Sequence, residues 1–278
     1  MREVILETIV DSVKLVPFLF IAFLLIELFE HKFNKKSKET LKKSGKFGPV
    51  LGSLLGIVPQ CGFSVLATNL YVTRIITLGT LFSVYLATSD EMLPLLIANQ
   101  APISLIVKIL GIKLFLGMLF GFVIDLVIKK KDDLNYEICH DEHCHCKEGI
   151  VLASIKHTLN IFVFILICTF IINLVLEFLG GEYLEKVFLR DNIFGALLTS
   201  LIGLIPNCAA SVVLTELFLS NAITFGALIG GLLTGAGVAL LVLFKINKYK
   251  KENIKILVAL YLIGAICGII IDVLMRII

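Results

Sequence analysis

Five apolar runs, at residues 15–29, 103–128, 161–176, 223–244 and 256–271, constrain this chain more than any other feature. Several reach or approach the roughly 20 residues with which an α-helix crosses the hydrocarbon of a bilayer. Strands of an outer-membrane barrel would alternate apolar and polar residues, so unbroken runs mean helices. A soluble domain of 278 residues needs far more polar surface than a chain that is 58% hydrophobic and 17% charged can supply. The opening MREVILETIVDSVK places Arg2, Glu3, Glu7, Asp11 and Lys14 at helical spacing, which predicts an interfacial helix leading into the first span. It has neither the short basic start nor the small-residue cleavage site of a removed signal peptide.

Charge sets orientation. Lysine and arginine concentrate in 31–46 (HKFNKKSKETLKKSGK), 129–131 (KKK) and 245–251 (KINKYKK). The positive-inside rule puts all three on the cytoplasmic side. The net charge of +3 is therefore an orientation signal, and no nucleic-acid partner is implied. NQAPIS (99–104) carries no charge and GGEYLEKVFLRDN (180–192) is mixed; both fit the opposite side.

The stretch GIVPQCGFSVLATNL at 56–70 returns at 203–217 as GLIPNCAASVVLTEL. At that offset the halves align without a gap: Pro59 with Pro206, Cys61 with Cys208, Ser64 with Ser211, Thr68 with Thr215, Thr77 with Thr224 and Gly79 with Gly226. The register still holds at Gly117 with Gly264, Gly121 with Gly268 and Asp125 with Asp272. Chance among apolar residues would match Leu and Ile, not Pro, Cys, Ser, Thr and Asp together. The chain reads as an internal duplication. Because basic loops in one half align with uncharged or mixed loops in the other, the halves are expected to be inverted, an arrangement found in secondary transporters.

Inversion requires an odd number of crossings per half, yet each half shows four apolar blocks, at 10–30, 47–72, 75–98 and 103–128 in the first. One block must not be a simple crossing. Proline lacks a donor N–H and clashes with the preceding turn, so a helix should break at Pro59 and again at Pro206. Half-helices over 47–58 and 62–72 would form a re-entrant pair that returns to its own side. A proline kink in a continuous span is the alternative, and it leaves the charge pattern at odds with the repeat. The expected fold is an all-α polytopic membrane protein of two inverted-topology repeats, each with a broken, re-entrant helix pair, in about 8–10 membrane segments. Residues 1–128 form the first repeat, 129–149 a cytoplasmic loop and 150–278 the second repeat, with both termini outside.

Irregular backbone survives inside a membrane only where protein or a water-filled cavity satisfies it. Breaks entering from opposite faces would bring Pro59-Gln60-Cys61 and Pro206-Asn207-Cys208 together near the midplane. Helix N-termini there offer free N–H groups, Gln60 and Asn207 supply amides, and the cysteines supply thiols. Cys61, Ser64 and Thr68 form one polar stripe, repeated by Cys208, Ser211 and Thr215; beside these the halves diverge, with Asn69 in one and Glu216 in the other. TSDE (88–91) places Ser89, Asp90 and Glu91 within the block 75–98. Carboxylates at membrane depth are costly and read as ion ligands or proton carriers, so Asp90, Glu91 and Glu216 are the expected acids of the pathway. The competing reading of each is an interfacial residue. The segment 231–237 (GLLTGAG), which overlaps the counterpart of TSDE, allows close packing and bending. Asp125 and Asp272 adjoin span ends and read as anchors or caps.

Cysteine usage does not suggest disulfides. Cys168 and Cys267 lie in apolar runs and read as small hydrophobes. The loop segment CHDEHCHC (139–146) gathers Cys139, His140, His143, Cys144, His145 and Cys146. Thiolate and imidazole at this density bind zinc, copper or similar ions, and the spacing is not that of a zinc finger. A cytoplasmic metal-collecting or metal-sensing tract is the expectation, against a plain solvated linker.

The paired PQCGFS and PNCAAS phrases, the inverted halves and the His/Cys-rich loop resemble the ten-helix heavy-metal exporters, relatives of organoarsenical efflux permeases. Members are labelled arsenic efflux proteins or manganese transporters. The resemblance covers nearly the whole chain. It implies efflux across the plasma membrane of a prokaryote and carries over to Pro59, Gln60, Cys61, Pro206, Asn207 and Cys208. No G-x-x-x-x-G-K-[ST] phosphate loop occurs, so coupling to a proton or ion gradient is expected rather than nucleotide hydrolysis. The first reading is a secondary-active exporter of a divalent metal such as manganese, with arsenite or an organoarsenical next. Its partners are lipid and the transported ion; no further cofactor is required, and a homo-oligomer is compatible. An anion or small-solute permease is the alternative. An intramembrane enzyme is less favoured, since H-E-x-x-H and G-x-S-x-G are both missing.

Overall fold

The computed structural model of the chain describes residues 47–58, 61–89, 92–128, 194–207 and 209–277, with scattered helical positions in 16–24 and 151–170. Among the described residues the backbone is helix and turn, with no strand. In the first half run α1 (Gly48–Gly56), α2 (Cys61–Val72), α3 (Leu78–Ala87), α4 (Met92–Ala98) and α5 (Ile103–Val127). In the second run α6 (Phe194–Gly203), α7 (Ala209–Leu219), α8 (Phe225–Thr234), α9 (Ala239–Ile246) and α10 (Lys250–Ile277). Among the described residues, four stretches are long and apolar enough to cross a bilayer: Leu78–Ala98, Ile103–Val127, Phe225–Ile246 and Lys250–Ile277. At 1.5 Å per residue, helices the length of α1, α2, α6 and α7 cover at most about 18 Å, well short of ~30 Å of hydrocarbon.

Local chemistry explains where the helices begin and end. Pro49 sits in the first turn of α1, where its missing N–H removes no helical bond. Thr77 and Thr224 cap α3 and α8, each hydroxyl accepting from a backbone N–H at 3.1 Å, Thr80 in one case and Ala227 in the other. The duplicated aspartates complete these caps. Asp125 accepts from the Thr77 hydroxyl at 2.7 Å and the Gly79 N–H at 2.9 Å. Asp272 does the same with Thr224 at 2.6 Å and Gly226 at 2.8 Å. Each carboxylate thus ties the last span of its half to the N-terminal, positive end of the neighbouring helix. The expected capping role is the one observed.

At Gly79 the approach is close enough to require glycine: a β-carbon would run into the Gly121 carbonyl and the Asp125 carboxylate. Helices α2 and α7 end alike, on left-handed residues Arg74 (φ 60°) and Asn221 (φ 62°). The next N–H in each returns to a carbonyl five residues back, Ile75 to Leu70 at 2.9 Å and Ala222 to Leu217 at 2.8 Å.

Helices α3 and α8 form the centre. Every residue from Gly79 to Ala87 and from Gly226 to Thr234 is buried. Around α3 pack α1 and α5; around α8 pack α6 and α10. Between the halves, α3 meets α8, α2 meets α9, and α7 meets α4. Tyr85, Phe82, Leu228 and Leu232 are among the side chains that fill this core. The outward face of α5 carries exposed Val107, Phe115 and Leu119, and that of α10 carries exposed Val258, Leu262 and Ile266, as spans facing lipid should.

The breaks expected at the two prolines are present, between Gly56 and Cys61 and between Gly203 and Ala209. The structure adds two more. The block 75–98, expected as a simple span, is interrupted after Ala87: Thr88 is extended (ψ 127°), with its hydroxyl turned back to the Val84 carbonyl at 2.7 Å. Ser89 likewise donates to the Ala87 carbonyl at 3.1 Å. Such side chains compete with the backbone for its own acceptors and favour a stop. The aligned block stops at Gly235, and Gly237 adopts a left-handed φ of 56° before α9 begins.

Candidate functional site

Three of these four helix breaks converge on one cavity. Thr88 and Ser89 come from the α3–α4 break, Asn207 and Ser211 from the α6–α7 break and the start of α7, and Gly235 and Gly237 from the α8–α9 break. Leu232 and Leu214 close the apolar side. The space suits a water molecule or a bare ion rather than an organic solute. Asn207 is buried, and its side-chain oxygen accepts from the Ala209 N–H at 3.4 Å, at the start of α7.

A helix that stops leaves its last carbonyls without intrahelical partners. Two of these, on Thr88 at the end of α3 and on Leu232 near the end of α8, accept hydrogen bonds from one side chain, the ammonium of Lys113. The Leu232 bond is 2.7 Å long. Lys113 lies in the middle of α5 and is 1% exposed. Both residues whose carbonyls it holds also line the cavity, so a cationic group lies directly behind the lining, bonded to both halves. Sequence reasoning missed this residue. Its signals were a position too deep in an apolar run for its ammonium to reach the interface, and an aligned position in the other half occupied by Leu260.

The structure brings Ser89, Asn207 and Ser211 together. Ser64, Thr68 and Asn69 are buried on α2 but do not line the cavity. Thr68 donates to the Ser64 carbonyl at 2.8 Å or shares a proton with the Tyr85 hydroxyl at 2.6 Å, and Asn69 donates to the Val65 carbonyl at 3.0 Å. Thr215 donates to the Ser211 carbonyl at 2.7 Å. Glu216 lies on the exposed side of α7 and is not in the cavity wall. Pro206 is in the turn between α6 and α7. Pro59, Gln60, Asp90, Glu91 and Cys208, the side chain of Cys61, and the loop ligands Cys139, His140, His143, Cys144, His145 and Cys146 lie outside the described residues. Among the described residues, no three His, Cys, Asp or Glu side chains gather as a metal site.

A second polar cluster joins the halves at one end. Arg74 forms a two-point pair with Glu252, both bonds 3.0 Å. The Tyr71 hydroxyl donates to the same carboxylate. Arg74 also lies over the rings of Tyr71 at 5.2 Å and Tyr249 at 5.8 Å. Its bonds to Glu252 push the guanidinium pKa further above its ordinary range. Arg74 and the basic segment 245–251, both expected on the cytoplasmic side, therefore meet.

Long apolar helices, with polar residues gathered where helices are interrupted, define a multi-pass helical membrane protein. The chain belongs to the family described as "Putative, 10TM heavy-metal exporter", whose model matches residues 1–181. The family is one of transporters, and the resemblance read from the paired phrases is to the same family. No curated protein and no solved structure matches the chain.

Proposed function

We propose that the chain is a secondary-active exporter of a divalent metal cation, with Mn²⁺ the preferred substrate, bound at the cavity between the helix breaks. The observation that carries this is the cavity itself: Thr88, Ser89, Asn207 and Ser211, all oxygen-bearing residues, line a space of ionic size. Oxygen ligands of this kind suit a hard cation. Asp90 and Glu91 fall in the chain between Ser89 and Met92, both lining residues, and supply the negative charge a divalent ion needs. Either carboxylate also carries the coupling proton.

Alternating access of two inverted halves moves the ion. The reciprocal contacts of α2 with α9 and of α7 with α4, helices that exchange under the sequence repeat, support that reading. So do the matched ends of α2 and α7 at Arg74 and Asn221. The paired short helices α1–α2 and α6–α7 act as re-entrant elements, the Arg74–Glu252 pair closes the cytoplasmic face, and the His/Cys loop collects metal there. The membrane is the plasma membrane of a prokaryote. Arsenite, neutral and thiol-seeking, makes poor use of this oxygen set.

A buried ammonium bonded to two lining residues favours a second reading, an anion permease. The carbonyl partners of Lys113 and the small cavity weigh against it. The test is a panel of metal and arsenical sensitivities in a host lacking its own exporters. Wild type should protect against Mn²⁺, and Asp90→Asn should lose that protection. Sensitivity unchanged across the panel, with normal expression, contradicts the proposal.

A further inference from the structure

Lys113 is the group that the transport reading leaves unused. It is buried, it stands in one half only, and two of its partners are carbonyls of interrupted helices from opposite halves, both in residues that line the cavity. Carbonyl oxygens at helix C-termini carry the negative end of the helix dipole, which is what a metal cation would also seek. An ammonium and a divalent cation cannot share them: each repels the other, and repulsion between like charges is strong where water is excluded.

Resting on the exporter reading above, we propose that Lys113 is the resident cation of the empty carrier. Its ammonium holds the carbonyls of Thr88 and Leu232 when no metal is present, so that α3 and α8 stay tied and the unloaded protein can return. An arriving metal ion must displace it from these carbonyls, and Lys113 takes them back when the ion leaves. Lys113 is thus a positioning residue that lowers metal affinity in order to allow release. The aligned Leu260 has no such group, so a single switch serves both halves.

A merely structural tie makes the opposite prediction for affinity, and this separates the two. Purified full-length wild type, Lys113→Gln and Lys113→Arg would be titrated with Mn²⁺ and assayed for Mn²⁺ flux in proteoliposomes. Lys113→Gln keeps a donor for the carbonyls but removes the charge. It should bind Mn²⁺ about tenfold more tightly or better while its turnover falls. Lys113→Arg keeps the charge and should bind no more tightly than wild type. Folded Lys113→Gln with equal or weaker Mn²⁺ binding overturns the inference, and so does a Lys113→Gln chain that does not fold, which would make Lys113 a structural tie. Wild type that neither binds nor moves Mn²⁺ instead overturns the exporter reading on which the inference rests.

Discussion

Asp125 and Asp272 show how a single residue can hold a span in place. Each carboxylate accepts one hydroxyl and one backbone N–H at the head of a neighbouring helix. Asp125→Ala should therefore lower stability by about 1.5–3 kcal/mol, the usual contribution of a hydrogen bond to a charged group, towards the lower end because the site is partly exposed. Thermal unfolding in detergent would check it, and Asp272→Ala should behave alike. Ser53 and Ser200, aligned in the repeat, are the converse case: their hydroxyls are buried and have no partner among the described residues. Ser53→Ala and Ser200→Ala should leave the melting temperature unchanged or raise it, since an unsatisfied hydroxyl costs about 1–3 kcal/mol. A clear fall in either variant would mean that the hydroxyl has an unseen partner. The aspartate caps were legible in the sequence because Thr77, Gly79 and Asp125 recur together. Lys113 was not, because a lysine in an apolar run reveals its acceptors only once two other helices are known to stop beside it.

At the scale of elements, the breaks differ in how openly the sequence announced them. Proline opposes helix, so those near Pro59 and Pro206 could be placed from one residue each. The break after Ala87 is marked less directly: Pro94 lies beyond it, in the first turn of α4, and Thr88 and Ser89 bond back to their own helix. Its aligned partner depends on Gly237 in a left-handed conformation, which small residues permit but do not dictate. The polar stripe of Ser64 and Thr68 was expected at the central site; both residues are buried, but helix α2 turns Thr68 towards Tyr85. The Arg74–Glu252 pair ties the end of α2 to the start of α10 with its two members 34% and 27% exposed. A double-mutant cycle with Arg74→Ala and Glu252→Ala should give a coupling of about 1 kcal/mol, the upper range for an exposed pair, because the geometry is two-pronged. A coupling near zero would remove this pair as a closure between the halves.

For the whole molecule, apolar runs and charge pattern were enough to read an all-helical membrane protein, while the place where its polar groups converge was readable only in part: Ser89, Asn207 and Ser211 were named, Thr88 and Lys113 were not. That place depends on which breaks face each other, and contacts between α3 and α8 decide it. The central claim is that a divalent cation crosses at the cavity lined by Asn207 and Ser211. Its most direct test is Mn²⁺ flux into proteoliposomes holding wild type or the double variant Asn207→Ala, Ser211→Ala. Wild type should move Mn²⁺ faster when a proton gradient is imposed, and the folded double variant should need about tenfold more Mn²⁺ to reach half its rate. Flux no greater than in protein-free vesicles, or flux untouched by the double variant, would contradict the claim.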